Sequence, residues 1–513
     1  MEKNDQKLLS DKLEKAISFQ NNHQHKKAIR IFQEFIEIDT NNSEAHHLLG
    51  LSYLELKDFK KAILEFENSI QISPEREESY CNLGMAYWRN DEKEKAAACF
   101  RKKLSNQFIH INLAQLLLDM NKIEESLLEC QKILEDNPNN YIVFFIIIMI
   151  EHRLCNKNIV LSSLYKVAQK LNISIDKWLI EIPEDNDRFL YIKGFLFILT
   201  GKYSQGLKYL RAAEKKDPGA GWIFTFKMIS QIKQYYGPLI TPNENLKSLT
   251  CPKFNYRGVI SMNYLGLSGR LGHQLSYYLG LKLYAKRHNY CIEMPDWIGR
   301  YFFEGCSDPF ISNIYDTINS TDPSFKRSID GNYPPPQEKF NLNGSCFNPS
   351  KLTKEEKRYI QNTLTPLPYL KKTLDSHISQ LKKNKKTLVS IHIRRGDFVK
   401  SNFYVPSSQL FLTWLKKKWP DLNQPVLYIA SDEVEAVKAD FFEFEPFSMS
   451  DFEKTFYFDD CLTDFYIISQ SDIVITGASS FSRLATMCNS KYSQLYWANP
   501  NTNSIEKFNV WAY

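Results

Sequence analysis

The feature that most constrains the fold is a 34-residue period in the N-terminal half of the chain. Small residues and aromatic residues return at matching points of this period, at Ala28, Ala62 and Ala96 and at Phe32, Phe66 and Phe100. A small side chain lets two helices approach closely, and an aromatic ring fills the gap beside it. The period therefore predicts a stack of helical pairs that bury a continuous core.

The spacing is that of tetratricopeptide repeats, and Pro74 and Pro138 stand where such units end. We predict a helical solenoid over residues 7–236, with a degenerate stretch near its middle, and a linker over 237–256. Its concave face would bind a protein partner, as an extended peptide or a helix. Polar residues expected to line that face are His46, Asn82 and Arg89.

From residue 257 onward, short apolar runs alternate with helical patterns, which predicts parallel sheets covered by helices. The expected strands are Val259–Met262, Cys291–Met294, Thr387–Ile393, Val426–Ala430, Ile473–Thr476 and Gln494–Trp497. The predicted fold class is thus multidomain, all-α followed by α/β. Two Rossmann-like subdomains, about 257–384 and 385–513, would enclose a cleft, and the Asn- and Pro-rich segment 307–350 is expected to be loop.

The run Thr387–Ile393 leads into Arg394, Arg395, Gly396 and Asp397. The carboxyl ends of parallel strands are where open α/β sheets bind ligands. Guanidinium groups there can hold phosphate oxygens two at a time. This pattern predicts a diphosphate site; solvated charges at a strand end are the alternative.

Two further loops suit the same ligand. The glycine-rich loop around Gly269 and Gly272 opens a predicted helix over 271–287, so that backbone amides and the helix dipole could face an anion. Its spacing is not that of a nicotinamide site. Gly477 follows the expected strand 473–476, and Ser479 and Ser480 could cap the next helix or meet phosphate oxygens.

These segments together resemble the alpha-1,2-fucosyltransferases and their alpha-1,6 and protein O-fucosyltransferase relatives. The segment 392–397 is similar to their HxRRGD motif, 269–274 to the G-x-L-G-N-Q motif, and 475–482 to the third motif; 428–432 is similar to the strand that ends in Ser-Asp. The resemblance spans roughly residues 256–513. It departs from the family at His273, where the family has Asn, and after Ser482, where Arg483 and Leu484 replace an aromatic pair.

The resemblance implies GT-B architecture and inverting transfer of L-fucose from GDP-fucose to a hydroxyl of a glycan acceptor. Neither a metal nor another cofactor is implied. Arg394 would stabilise the departing β-phosphate, and His273 would face the reacting sugar or the acceptor. The remaining residues implied in nucleotide-sugar binding are Gly269, Arg270, Gly272, Gln274, His392, Arg395, Asp464, Ser479 and Ser480. Among these, His392 and Asp464 would meet the guanine, and Asp397 would brace the loop.

Two alternatives stay open. The acceptor could be a polypeptide held in the solenoid groove, as for a protein O-fucosyltransferase. The C-terminal half could also be an inactive transferase that serves a repeat adaptor, which His273 favours weakly.

The formal net charge of +6 over 513 residues is small and interspersed, so nucleic-acid binding is not implied. The 10 cysteines form no CxxC pair, which favours free thiols in a reducing compartment. The longest apolar run, 141–150, is too short for a transmembrane helix. We therefore expect a cytoplasmic protein, able to work at the inner face of a membrane.

Overall fold

The computed structural model describes residues 3–102, 107–120, 122–154, 157–184, 187–217, 221–236, 256–266, 269–311, 315–396, 404–452, 461–477, 479–489 and 494–512. They form two compact units. The first comprises Met1–Ile150 and Asn158–Trp178, and the second Glu151–Lys157 and Leu179–Tyr513.

The first unit is built from consecutive helices. Those that lie wholly or partly in it are α1 Lys3–Asn21, α2 His25–Ile36, α3 Ser43–Glu55, α4 Phe59–Ile72, α5 Glu77–Arg89, α6 Lys93–Lys102, α7 Gln107–Asp119, α8 Ile123–Asp136, α9 Tyr141–Leu154, α10 Lys157–Lys170 and α11 Ile175–Glu181. The apolar run 141–150 forms most of α9. Among the described residues, no helix is both long and apolar enough to cross a membrane.

The 34-residue period corresponds to a repeated packing contact. A methyl group added at Gly50 would lie 2.7 Å from the ring of Phe66, and one added at Gly84 would lie 2.5 Å from the ring of Phe100. Both rings are fully buried, as are Ala62 and its equivalents one period away. In successive repeats, the absence of a side chain on glycine thus allows the helix that carries it to pack directly against an aromatic ring of the paired helix.

The second unit opens with the helices α12 Asp187–Leu199, α13 Tyr203–Lys216 and α14 Gly221–Tyr236. A parallel sheet of four strands follows, in the order β2-β1-β4-β3. Its strands are β1 Gly258–Ser261, β2 Tyr290–Glu293, β3 Thr317–Asn319 and β4 Lys339–Asn343, and its helices are α15 Leu271–His288, α16 Gly299–Phe302, α17 Pro323–Ser328, α18 Lys354–Thr363 and α19 Pro368–Leu381.

A second sheet of five strands has the order β6-β5-β7-β8-β9, in which only the β8–β9 pair is antiparallel. Its elements are β5 Thr387–Ile393, α20 Ser408–Lys418, β6 Pro425–Ser431, α21 Val434–Asp440, α22 Cys461–Gln470, β7 Ile473–Thr476, α23 Ser480–Met487, β8 Gln494–Asn499 and β9 Ser504–Lys507. The central strand β5 is buried from Leu388 to Ile393, as its continuous apolar sequence predicts.

Two sequence expectations are wrong. The segment 307–350 is not simply loop, because it contains β3, α17 and β4, and β4 pairs with β1 inside the first sheet. Strand β4 was not predicted because the polar residue Asn341 interrupts its apolar pattern. The buried side-chain amide of Asn341 accepts a hydrogen bond from the backbone N–H of Asn263 at 2.8 Å and donates one to Thr317 at 3.0 Å. Cys291 is disulfide-bonded, so the cysteines are not all free thiols.

The helices α12–α14 belong to the same compact unit as the sheets. The sequence instead assigned them to a solenoid that extends to residue 236. Met228, Ile229 and Ile232 of α14 lie in the same apolar cluster as Ile260 of β1 and Leu275 of α15. Residues 237–255 of the expected linker lie outside the described residues.

Candidate functional site

A pocket of ≈ 380 Å³ lies in the second unit, beside the first turn of α15 and the carboxyl ends of β5 and β6. Residues of six separate sequence segments and of helix α13 line it. They are Glu214, Arg270, Leu271, Gly272, His392, Arg394, Ser431, Asp432, Val434, Met449, Cys461, Asp464 and Phe481. Five residues predicted from the sequence are therefore together here: Arg270, Gly272, His392, Arg394 and Asp464.

The glycines of the first loop have two separate roles. Gly269 has a φ of +66°, a left-handed conformation that side chains disfavour. A methyl group at Gly272 would lie 2.6 Å from the backbone N and Cα of Phe481, at the first turn of α23. Gly272 thus allows the start of α15 to touch the start of α23. The first amides of a helix have no acceptor within the helix, so the start of α15 presents donors to the pocket wall.

His392 is buried near the end of β5, and its ring lies against the ring of Phe481 with centroids 5.4 Å apart. Burial, helped by the positive charge of Arg394, lowers the pKa of His392 to about 3. The imidazole is therefore neutral near pH 7. Within the described part of the chain, its Nδ1 is buried without a hydrogen-bond partner. A buried polar atom of this kind at a pocket wall indicates a place for a ligand.

The side chain of Arg395 does not line the pocket, in contrast to that of Arg394. Its guanidinium donates to Ser408 at 2.7 Å and to Asp440 at 3.0 Å. Its backbone N–H donates to Asp432 at 2.9 Å. Arg395 is absent from the pocket lining, and its contacts fix the loop that carries Arg394. The expected bracing residue Asp397 lies outside the described residues.

Asp464, on α22, accepts a hydrogen bond from the hydroxyl of Tyr428 at 2.6 Å. Tyr428 is a fully buried residue of β6, so the second sheet fixes this carboxylate at the pocket. The sequence had indicated the segment around Tyr428 only through the Ser-Asp pair that follows it. In the structure that pair, Ser431 and Asp432, also lines the pocket.

Ser479 and Ser480, at the end of the loop after β7, differ in exposure. Ser479 is buried at the N-cap of α23 without a side-chain cap hydrogen bond, whereas Ser480 is exposed. Neither belongs to the pocket lining. The loop is held by a hydrogen bond between the hydroxyls of Thr476 and Ser482.

His273 and Gln274 are likewise absent from the pocket lining. The ring of His273 contacts Tyr277 with centroids 4.3 Å apart, and burial lowers the pKa of His273. Gln274 is fully buried; its Nε2 donates to Thr225 of α14 at 2.6 Å and to the carbonyl of Gly269 at 3.0 Å. Gln274 thus ties the glycine loop to the preceding helices.

Sequence reasoning missed Glu214 of α13 as a lining residue. Its two carboxylate oxygens accept hydrogen bonds from Lys227 of α14 at 2.9 and 2.7 Å. No local pattern distinguishes this glutamate from other helical glutamates, so only packing could reveal it.

The polar residues expected in a groove of the repeats differ in exposure. His46 is buried; its Nδ1 lies 2.7 Å from Glu65, and that hydrogen bond raises the pKa of His46. Asn82 lies 3.5 Å from the ring of His47, and Arg89 is exposed. Across the described ranges, no cluster of His, Cys, Asp or Glu could hold a metal ion.

Comparison with known proteins identifies part of the first unit. Residues 43–76 and 77–106 match family models described as tetratricopeptide repeat, so this region carries such repeats, a kind of module that binds protein partners. No curated protein matches the chain.

Several solved structures resemble part of the chain at low identity. PilF of Pseudomonas aeruginosa is 15% identical, with 42% of this chain and 96% of that chain covered and a TM-score of 0.32. PilW, a type IV pilus biogenesis factor, is 14% identical, with 41% and 94% covered and a TM-score of 0.31. A tetratricopeptide repeat protein from Parabacteroides merdae is 14% identical, with 41% and 78% covered and a TM-score of 0.29.

Proposed function

We propose that the protein is an inverting glycosyltransferase that transfers L-fucose from GDP-fucose to a hydroxyl of a glycan acceptor. One observation carries this proposal. Arg270 and Gly272 of one fucosyltransferase-like segment, His392 and Arg394 of another, and Asp464 line one pocket. A parallel sheet and a mostly parallel sheet in the second unit are compatible with GT-B architecture. The repeats of residues 43–106 would hold a protein partner or help to choose the acceptor.

The chemistry needs stabilisation of a leaving diphosphate. As the bond from the sugar C1 to the phosphate oxygen breaks, its electron pair moves to the β-phosphate. Arg394 and the amides at the start of α15 would offset that growing charge, which is commonly a large catalytic contribution. The oxygen of the acceptor hydroxyl attacks C1 from the opposite face, and the hydroxyl proton passes to water. The neutral ring of His392 and the carboxylate of Asp464 would bind the base, since a carboxylate can accept both N–H donors of the guanine edge.

The first experiment measures GDP release from GDP-fucose with a panel of glycan acceptors. We expect Arg394→Ala to lower the rate a few hundredfold, equivalent to about 3–4 kcal/mol of lost transition-state stabilisation. Arg327→Ala is the matched control, because Arg327 is an exposed arginine on α17 that is absent from the pocket lining. An Arg394→Ala rate equal to that of the control would overturn the proposed role of Arg394.

Calorimetry with GDP-fucose separates the alternatives. An inactive adaptor predicts no binding to the folded wild-type protein, and that result would overturn the transferase proposal. A protein O-fucosyltransferase predicts donor binding together with transfer to polypeptides and none to glycans.

A further inference from the structure

The helices before the sheets are built into the body of the candidate site. Lys233 of α14 pairs with Asp296 of the first-sheet region at 2.9 Å, and Asp296 accepts from the hydroxyl of Tyr301 at 2.9 Å. Thr225 of the same helix accepts a hydrogen bond from the buried amide of Gln274. Since Gln274 belongs to the first turn of α15, α14 is fixed relative to the glycine loop of the pocket.

This arrangement holds Glu214 in the pocket wall. Its side chain is 25% exposed, and that of its partner Lys227 is 9% exposed. Lys227 occupies one acceptor position on each carboxylate oxygen. A carboxylate offers about four such positions, so about two remain for another donor. The counter-charge of Lys227 also offsets the cost of holding Glu214 partly out of water.

The pocket is therefore lined by positively charged arginines and by the negatively charged carboxylate of Glu214. Arg270 and Arg394 suit a phosphate group, whereas a carboxylate repels phosphate and accepts hydrogen bonds from hydroxyl groups. Of the two other lining carboxylates, Asp464 is assigned to the guanine in the proposed function, and Asp432 accepts a hydrogen bond from the backbone N–H of Arg395. A ligand that joins a diphosphate to a hydroxyl-rich ring would complement both walls.

We infer that Glu214, contributed by the helical hairpin α13–α14, binds sugar hydroxyl groups in the candidate site. This inference rests on the proposed transferase function and extends it, because the fucosyltransferase-like segments do not include residue 214. The hydroxyls could belong to the fucosyl group of the donor or to the glycan acceptor. Both groups would donate hydroxyl hydrogen bonds to the carboxylate. A contact with the donor would affect GDP-fucose binding, and a contact with the acceptor would affect acceptor binding.

The test uses full-length protein with Glu214→Ala and with the double variant Glu214→Gln, Lys227→Met. The double variant removes both charges of the pair, so neither is left without its partner. Glu135→Gln is the control, because Glu135 pairs with Lys170 and its side chain is 29% exposed, much like Glu214. Circular dichroism and thermal unfolding establish that each variant is folded.

If Glu214 binds the donor sugar, both variants weaken GDP-fucose binding relative to GDP binding by roughly tenfold to a hundredfold. If Glu214 binds the acceptor, the ratio of the GDP-fucose and GDP affinities stays the same and the acceptor KM rises by a similar factor. Folded variants with an unchanged ratio of these affinities and an unchanged acceptor KM would overturn the inference. A wild-type protein that does not bind GDP-fucose would instead refute the proposed function, and the inference with it.

Discussion

The repeats and the candidate site differ in how far apart along the chain their contacting residues lie. In the repeats, Gly50 meets Phe66, and the same contact returns between Gly84 and Phe100 one period later. In the site, Gly272 meets the backbone of Phe481. A contact that repeats locally leaves a periodic signal in the sequence. A contact between distant segments occurs once and leaves no periodic signal.

The largest expected effect is that of truncation. Removing residues 1–150, which keeps every residue of the second unit, should leave that unit folded. Removing residues 1–236 also deletes α12–α14, which exposes core contacts made by Met228, Ile229 and Ile232. We expect the shorter protein to aggregate or unfold, measured by size-exclusion chromatography and thermal unfolding. If both truncated proteins are monodisperse and melt at the same temperature, the boundary at residue 236 predicted from the sequence is the better one.

Glycine substitutions compare the two regions directly. Gly272→Ala should destabilise the second unit by about 3 kcal/mol, because the added methyl group meets the backbone of Phe481. Gly50→Ala meets only the side chain of Phe66, so the further change Phe66→Leu should recover part of the loss. Urea unfolding measures both effects. Recovery of Gly272→Ala by Phe481→Leu would contradict the backbone contact that we describe.

Acidification should act with opposite sign on two histidines. His392 has a pKa lowered to about 3 by burial and Arg394. The unfolded state, with an ordinary pKa near 6.5, therefore binds the proton first as the pH falls, and stability is lost below about pH 6.5 by at most about 1.4 kcal/mol per pH unit. His46 has a raised pKa through its hydrogen bond to Glu65. Its contribution is fully present below pH 6.5 and is lost as the pH rises through the folded-state pKa.

Urea unfolding of His392→Asn and His46→Asn at pH 5 and pH 7.5 checks this pair of predictions. Between pH 7.5 and pH 5, the free energy of unfolding should fall less for His392→Asn than for the wild type. His46→Asn should be less stable than the wild type at pH 5, and this difference should shrink at pH 7.5. Equal pH dependence in wild type and His392→Asn would contradict a buried neutral imidazole.

The smallest expected effect concerns the link between α14 and the glycine loop. Thr225→Val removes the acceptor for Gln274 Nε2 and should cost about 1–2 kcal/mol. Thr413→Val is the control, because Thr413 is an exposed helical threonine. Equal melting temperatures for the two variants would mean that the hydrogen bond to Gln274 contributes little.

Six strands of the second unit could be predicted because they are mostly apolar runs. The bounds of β5 and β7 agree with the predicted ones, and α15 ends one residue beyond its predicted end. Strand β4 was missed because its buried Asn341 makes its hydrogen bonds inside the sheet. An apolar pattern cannot reveal a polar side chain whose partners come from other strands.

The sequence by itself determined the 34-residue period, the order of strands β1, β2 and β5–β8 along the chain and the segments that supply Arg394, Gly272 and Asp464. Periodicity and strand patterns are local properties, so they can be inferred from neighbouring residues. The tertiary structure alone decided that Arg394 lines the pocket while Arg395 pairs with Asp440, and that Glu214 joins them from a helix. Side-chain direction and contacts between distant segments depend on the packing of the whole unit, which no short stretch of sequence contains.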